Sequence, residues 1–182
     1  MGNISFLFIL LQSFGSNCIL RFNVFLETAA IDNDPNYLTW DMILEMKDSG
    51  LVQFGAHTHT HKDAKFITVE NFSEEIFKSN EILRTKIGYE PKHFCFPFGS
   101  YDKRTIKQFF DNTEYDALYT SDGRKQKYIK GRALVGRVGI SNDDTLDIFV
   151  KKIKGDYDLY YRMARLVRVL FRKEKYERFK VS

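Results

Sequence analysis

Proline is scarce in this chain, three residues in 182, and glycine is held to eleven. That leaves no room for a long flexible linker, and no internal repeat or low-complexity tract is visible. Cysteine is scarcer still. Cys18 and Cys95 could pair, but nothing in their spacing requires it, and both sit in apolar runs where a buried thiol is the expected state. No apolar run approaches the roughly 20 residues of a membrane-spanning helix. Residues 4–11 are apolar, yet no Lys or Arg precedes them and no clean small-residue cleavage site follows. A core helix is therefore expected there rather than a signal peptide, and the cellular location stays open.

What is present suits one folded domain. Hydrophobic residues make up 43% of the chain, enough to build a core and too many for a disordered polymer. Charge is uneven: residues 151–182 hold 11 Lys and Arg against 4 Asp and Glu, whereas the other 150 residues carry a small negative excess. Leu159, Met163, Leu166 and Leu170 recur there at helical spacing, with Arg162, Arg165, Arg168 and Arg172 off that stripe. Residues 155–182 are thus expected to form a basic amphipathic helix. Such a helix can touch an anionic membrane surface, although an apolar stripe more commonly docks on its own domain. It lacks the aromatic and basic interleaving of a nucleic-acid surface, so no nucleic-acid partner is expected.

Periodicity predicts alternating elements. A helix is expected over residues 6–14 and a strand over 19–26. Thr39 caps a helix over 40–48, closed by Gly50, and a strand over 51–54 follows. Thr68 or Asn71 opens a helix over about residues 73–87, which ends at Gly88. A strand over 93–96 is stopped by Pro97, and Asp102 opens a helix to about residue 112. Strands over 117–120 and 135–140 and a helix from Asp143 to about residue 153 complete the count, with Asp143-Asp144 read as its capping pair. Alternation of this kind implies an α/β fold of parallel strands with helices packed outside. About five strands are too few for a closed barrel.

Four histidines occur in all, and three fall in His57-Thr58-His59-Thr60-His61. Residues i and i+4 share a face on a strand and on a helical turn alike, so His57 and His61 point the same way under either backbone. Converging imidazoles are the commonest protein ligands for transition metals. Solvated histidines in a polar loop are the plainer alternative. The run follows a short apolar strand, and ligand clusters favour the C-terminal ends of strands in α/β proteins.

Three stretches together resemble the polysaccharide deacetylases of the NodB-like superfamily (carbohydrate esterase family 4). Leu38-Thr39-Trp40-Asp41 and Glu45 to Val52 look like the helix and strand that lead into that family's second motif. Gly55-Ala56-His57-Thr58-His59-Thr60-His61 matches the motif, His-Ser/Thr-x-x-His. Phe94-Cys95-Phe96-Pro97-Phe98-Gly99-Ser100-Tyr101-Asp102 looks like the third motif in its Pro-aromatic-Gly form. The resemblance covers about residues 20–150. It implies an incomplete, distorted (β/α) barrel over residues 1–154, a divalent metal that is most often zinc, and an N-acetylated polysaccharide as substrate. By the same resemblance His57 and His61 match the metal ligands, and Thr58 matches a hydroxyl that supports them. The backbone N–H of Phe98 matches an oxyanion donor, and Pro97, Phe98, Gly99 and Tyr101 match substrate-facing positions. His59 falls at a variable position and is not expected to be a ligand.

The chain departs from the family at three points. The first motif, an aspartate pair that supplies the base and a third ligand, has no counterpart before the histidines. Cys95 stands where the third motif usually carries arginine, as in the subset with the Phe-Pro-Phe-Gly form. No histidine follows His93 to serve as the late general acid. An N-terminally truncated deacetylase is the expectation, with little or no catalysis by this polypeptide. The alternative is a catalytically inactive carbohydrate-binding domain or a gene remnant.

Overall fold

The computed structural model describes residues 22–123, 126–141 and 143–156, together with residue 163. The helix expected over 6–14, Cys18, and most of the basic tail lie outside the described residues. Strand β1 (Phe22–Leu26) is followed by helix α1 (Trp40–Asp48) and strand β2 (Val52–Ala56). Helix α2 begins at Val69–Phe72, passes through a π-helical turn at Ser73–Phe77 and continues through Lys78–Ile87. Strand β3 (His93–Cys95), helix α3 (Lys103–Asn112) and strand β4 (Ala117–Thr120) come next. A hairpin of β5 (Lys127–Ile129) and β6 (Arg132–Gly136) and a final helix α4 (Leu146–Lys154) follow.

The six strands form one sheet in the order β1-β2-β3-β4-β6-β5. Its β1–β4 and β6 members run parallel, and β5 is antiparallel to β6. The sheet is open rather than closed, as the expected incomplete barrel requires. Alternate residues decide its packed face. Leu26, Phe54, Ala56, Phe94, Phe96, Leu118 and Leu134 are all buried, as are Ile43 of α1, Ile76, Leu83 and Ile87 of α2, and Phe109 and Phe110 of α3. Phe94 sits at the centre, its ring 4.6 Å from Phe109 and 5.3 Å from both Phe96 and Tyr115. Burying one such aromatic side chain contributes about 1.5–3 kcal/mol.

Several boundaries differ from the sequence expectation. There are six strands, not five, because Lys130 (φ 51°) and Gly131 (φ 78°) make a two-residue hairpin turn that the strand count overlooked. Two consecutive left-handed residues match the twist of the flanking strands, and glycine in the second place makes this cheap. The last strand is therefore Arg132–Gly136, earlier than residues 135–140. Of the two expected openers of α2, Thr68 is the N-cap, so the helix starts at Val69, four residues before Ser73, and Asn71 Oδ1 accepts the Thr68 N–H at 2.8 Å. The cap of α4 is Thr145, whose Oγ1 accepts the Ile148 N–H at 3.3 Å, and not the Asp143-Asp144 pair. Asp144 accepts from Ser141 N–H at 2.9 Å and pairs with Lys152 at 2.5 Å. Thr39 and Asp102 cap α1 and α3 as expected.

Candidate functional site

β2 delivers the histidines to the C-terminal end of the sheet. Its last residues are buried, and Gly55 is required there: a Cβ would lie 2.7 Å from the His93 carbonyl and from the Phe25 ring. The chain then leaves the sheet, with the His57 N–H still donating to Leu26 O at 3.1 Å. Two of the next four residues adopt left-handed backbone, Thr58 (φ 69°) and His61 (φ 58°). For a β-branched threonine this is a strained conformation, of a kind that clusters at functional sites.

The bends bring the imidazoles of His57 and His61 together, their Nε2 atoms 3.1 Å apart and their rings edge to face. His57 Nδ1 lies 2.6 Å from the carbonyl oxygen of Cys95 on β3. A carbonyl can only accept, so Nδ1 carries the proton and the Nε2 lone pair faces His61. Burial drives the His57 pKa down to about 4, with the nearby His61 and Arg137 lowering it further and the Cys95 hydrogen bond opposing. At neutral pH the side chain is an uncharged donor with a fixed tautomer. Ligating histidines are oriented in this way by a second group on the other ring nitrogen.

The donor geometry fits a transition metal. Two imidazole nitrogens at ordinary zinc distances from one tetrahedral ion stand about 3.3 Å apart, close to the observed spacing. No third His, Cys, Asp or Glu joins the pair among the described residues. Thr58 is fully buried, and its Oγ1 has no hydrogen-bond partner among the described residues. His59 turns elsewhere: its Nδ1 is 2.9 Å from Thr28 Oγ1, and its carbonyl accepts the Ala29 N–H. It anchors the loop to the segment after β1.

The third stretch closes the site from the β3 side. Pro97–Gly99 form a single 3-10 turn in which Phe98 (φ 57°) and Gly99 (φ 60°) are both left-handed. A Cβ on Gly99 would sit 1.8 Å from Ser121 Oγ, so this position admits glycine. The turn pushes the Phe98 ring outward, 72% exposed and edge to face with His61 at 4.7 Å. Pro97 is buried beneath it. Tyr101 stacks on Phe96 at 5.4 Å and donates its hydroxyl to Asp122 at 2.7 Å, tying this turn to the loop after β4.

Sequence reasoning missed two charged contributors. Arg137, just past β6, donates from Nε to Thr120 O at 3.2 Å and lies over the Phe25 ring. It follows β6, which two strands separate from β2, so nothing in the sequence ties it to the histidines. Glu75 on α2 accepts from Thr60, and nothing local marks a helical glutamate as buried.

Comparison with known proteins agrees with this arrangement. The family model for polysaccharide deacetylase matches residues 17–116. An uncharacterised Bacillus subtilis protein, YlxY, is 37% identical over 70 residues, which is 38% of this chain and 22% of that protein. A polysaccharide deacetylase from Bacillus cereus superposes with a TM-score of 0.71 at 26% identity, over 84% of this chain and 48% of that one. The Streptococcus pyogenes deacetylase PplD, solved with acetate, shares the fold with a TM-score of 0.64 at 19% identity, over 72% of this chain and 58% of that one. The chain spans about half the length of the Bacillus cereus enzyme.

Proposed function

Because the chain belongs to the polysaccharide deacetylase family, we propose that its site serves the removal of N-acetyl groups from a carbohydrate polymer with the help of a divalent ion, zinc for preference. The observation that carries this reading is the convergence of His57 and His61 at 3.1 Å, with the His57 tautomer fixed by the Cys95 carbonyl. These two residues would hold the ion, and Thr58 would lie beside them. An ion held there would supply Lewis acidity for amide hydrolysis.

The chain's own groups account for the rest of the proposal. The exposed Phe98 ring offers an apolar face to a sugar, on a turn that Pro97 and Gly99 shape and Tyr101 anchors. The Phe98 backbone N–H is the proposed donor to the oxyanion. A general base and a general acid each contribute about 10²–10⁴-fold to such a reaction. No carboxylate or further histidine joins the pair among the described residues. That favours a second reading, a carbohydrate-binding domain with little catalysis of its own.

Zinc titration of the chain and of His57→Ala and His61→Ala, beside an acetate-release assay on an N-acetylated polysaccharide, tests both. Zinc binding by the parent and its loss in each variant is the expected result. Metal-dependent acetate release at an efficient rate would remove the second reading, and zinc binding that survives both substitutions would remove the first.

A further inference from the structure

The π-helical turn of α2 points at the histidine loop. Ser73–Phe77 widen the helix for one turn, a feature that recurs at functional sites. Glu75 in its middle is only 5% exposed. Its Oε2 accepts the Thr60 N–H at 3.1 Å and its Oε1 accepts the Thr60 hydroxyl at 2.6 Å. Its own carbonyl accepts the His59 N–H at 2.9 Å. One turn on, Ser79 Oγ donates to Thr58 O at 3.3 Å. Four hydrogen bonds from one helix thus grip three consecutive loop residues.

A buried carboxylate is costly, and a helix that needed only to pack would carry an apolar residue at position 75. The loop itself is strained, with left-handed backbone at Thr58 and His61 on either side of the residues that Glu75 holds. Left to itself, a non-glycine loop of this kind relaxes to ordinary dihedrals, and His57 and His61 separate. We propose that Glu75 is the positioning residue that keeps the loop in its left-handed bends and so sets the two imidazole nitrogens together. The inference builds on the metal reading of the pair and adds a residue that touches neither metal nor substrate.

The test uses the full chain and two measurements. Amide hydrogen exchange of residues 57–61 in chelator reports the loop, and zinc calorimetry reports the pair. For Glu75→Ala, protection of the His59 and Thr60 amides should fall at least tenfold. Zinc affinity should fall about 10–100-fold, the usual effect of removing a group that orients a ligand. Amides of β4 should keep their protection, which separates positioning from general unfolding. Glu75→Gln, which keeps the shape and one acceptor, should restore part of both. If Glu75→Ala does not fold, Glu75→Gln and Thr60→Val carry the test with the same signs and smaller effects. Parent-like exchange and parent-like zinc affinity in a folded variant overturn the proposal, and so does lost protection with unchanged affinity. Should the parent bind no zinc, the metal reading falls, and unchanged loop protection in Glu75→Ala overturns the role of Glu75 separately.

Discussion

His57 makes the stability of this protein depend on pH in a way that can be isolated. Its imidazole is neutral and buried in the fold with a pKa near 4, and it returns to about 6.5 in the unfolded chain. Above about pH 6.5 neither state binds the proton, and the native state keeps its full stability. As pH falls, the unfolded chain takes up the proton first, so stability drops from about 6.5 down to the folded pKa near 4 and is then lost in full. The interval is roughly two and a half units, and each unit is worth about 1.4 kcal/mol, which gives a loss of about 3 kcal/mol. Urea unfolding in chelator between about pH 4 and pH 7.5, for the parent and for His57→Gln, measures it. Other titrating groups are common to both proteins, so the difference between the curves reports His57. The parent should lose about 3 kcal/mol more than the variant across that window. Superimposable curves, or a His57 titration midpoint near 6.5 by NMR, would refute the argument that burial holds this ring neutral.

Three further outcomes follow from single contacts. Tyr89→Phe removes the hydroxyl that accepts the Phe54 N–H at 2.9 Å in the middle of β2, and a buried amide left unpaired should cost about 1–3 kcal/mol in denaturant unfolding. Gly99→Ala meets both a left-handed backbone and Ser121 Oγ, so it should destabilise by about 2 kcal/mol or more, with partial recovery in the double variant Gly99→Ala, Ser121→Gly. Phe98→Ala should leave stability within about 0.5 kcal/mol, because the ring is exposed, yet weaken binding of an N-acetylated oligosaccharide several-fold in calorimetry. An unchanged affinity would argue against Phe98 as a sugar contact.

The parts of this fold governed by local rules were legible in the sequence. Thr39, Gly88 and Asp102 sit at helix ends because a side-chain acceptor or a left-handed residue is needed there, and each marked its boundary. Residues 117–120 were legible as a strand because their apolar run is short and bounded. The β5–β6 hairpin escaped because Lys130-Gly131 is a weaker turn signal than Asn-Gly, and β5 presents an exposed, mixed surface. For the site, the i, i+4 argument for His57 and His61 rested on a strand or a helical turn, and residues 57–61 are neither: the left-handed bends at Thr58 and His61 turn the two rings together. What brings the nitrogens to 3.1 Å is non-local: a carbonyl 38 residues away and a glutamate on the next helix. Neither leaves a trace in periodicity. The π turn that aims Glu75 was equally invisible, since one widened turn scarcely alters a helical pattern.

The hydrogen bond from His57 to position 95 uses the main chain, and this gives the site a kind of mutational freedom. A carbonyl is the same whichever side chain it carries, so a substitution at residue 95 can change the thiol without changing the tautomer of the ring. The tautomer of His57 is in this sense inherited from the pairing of β2 with β3, and not from any one amino acid. Neighbouring positions can drift under selection for substrate while the histidine pair goes on meeting the same oxygen.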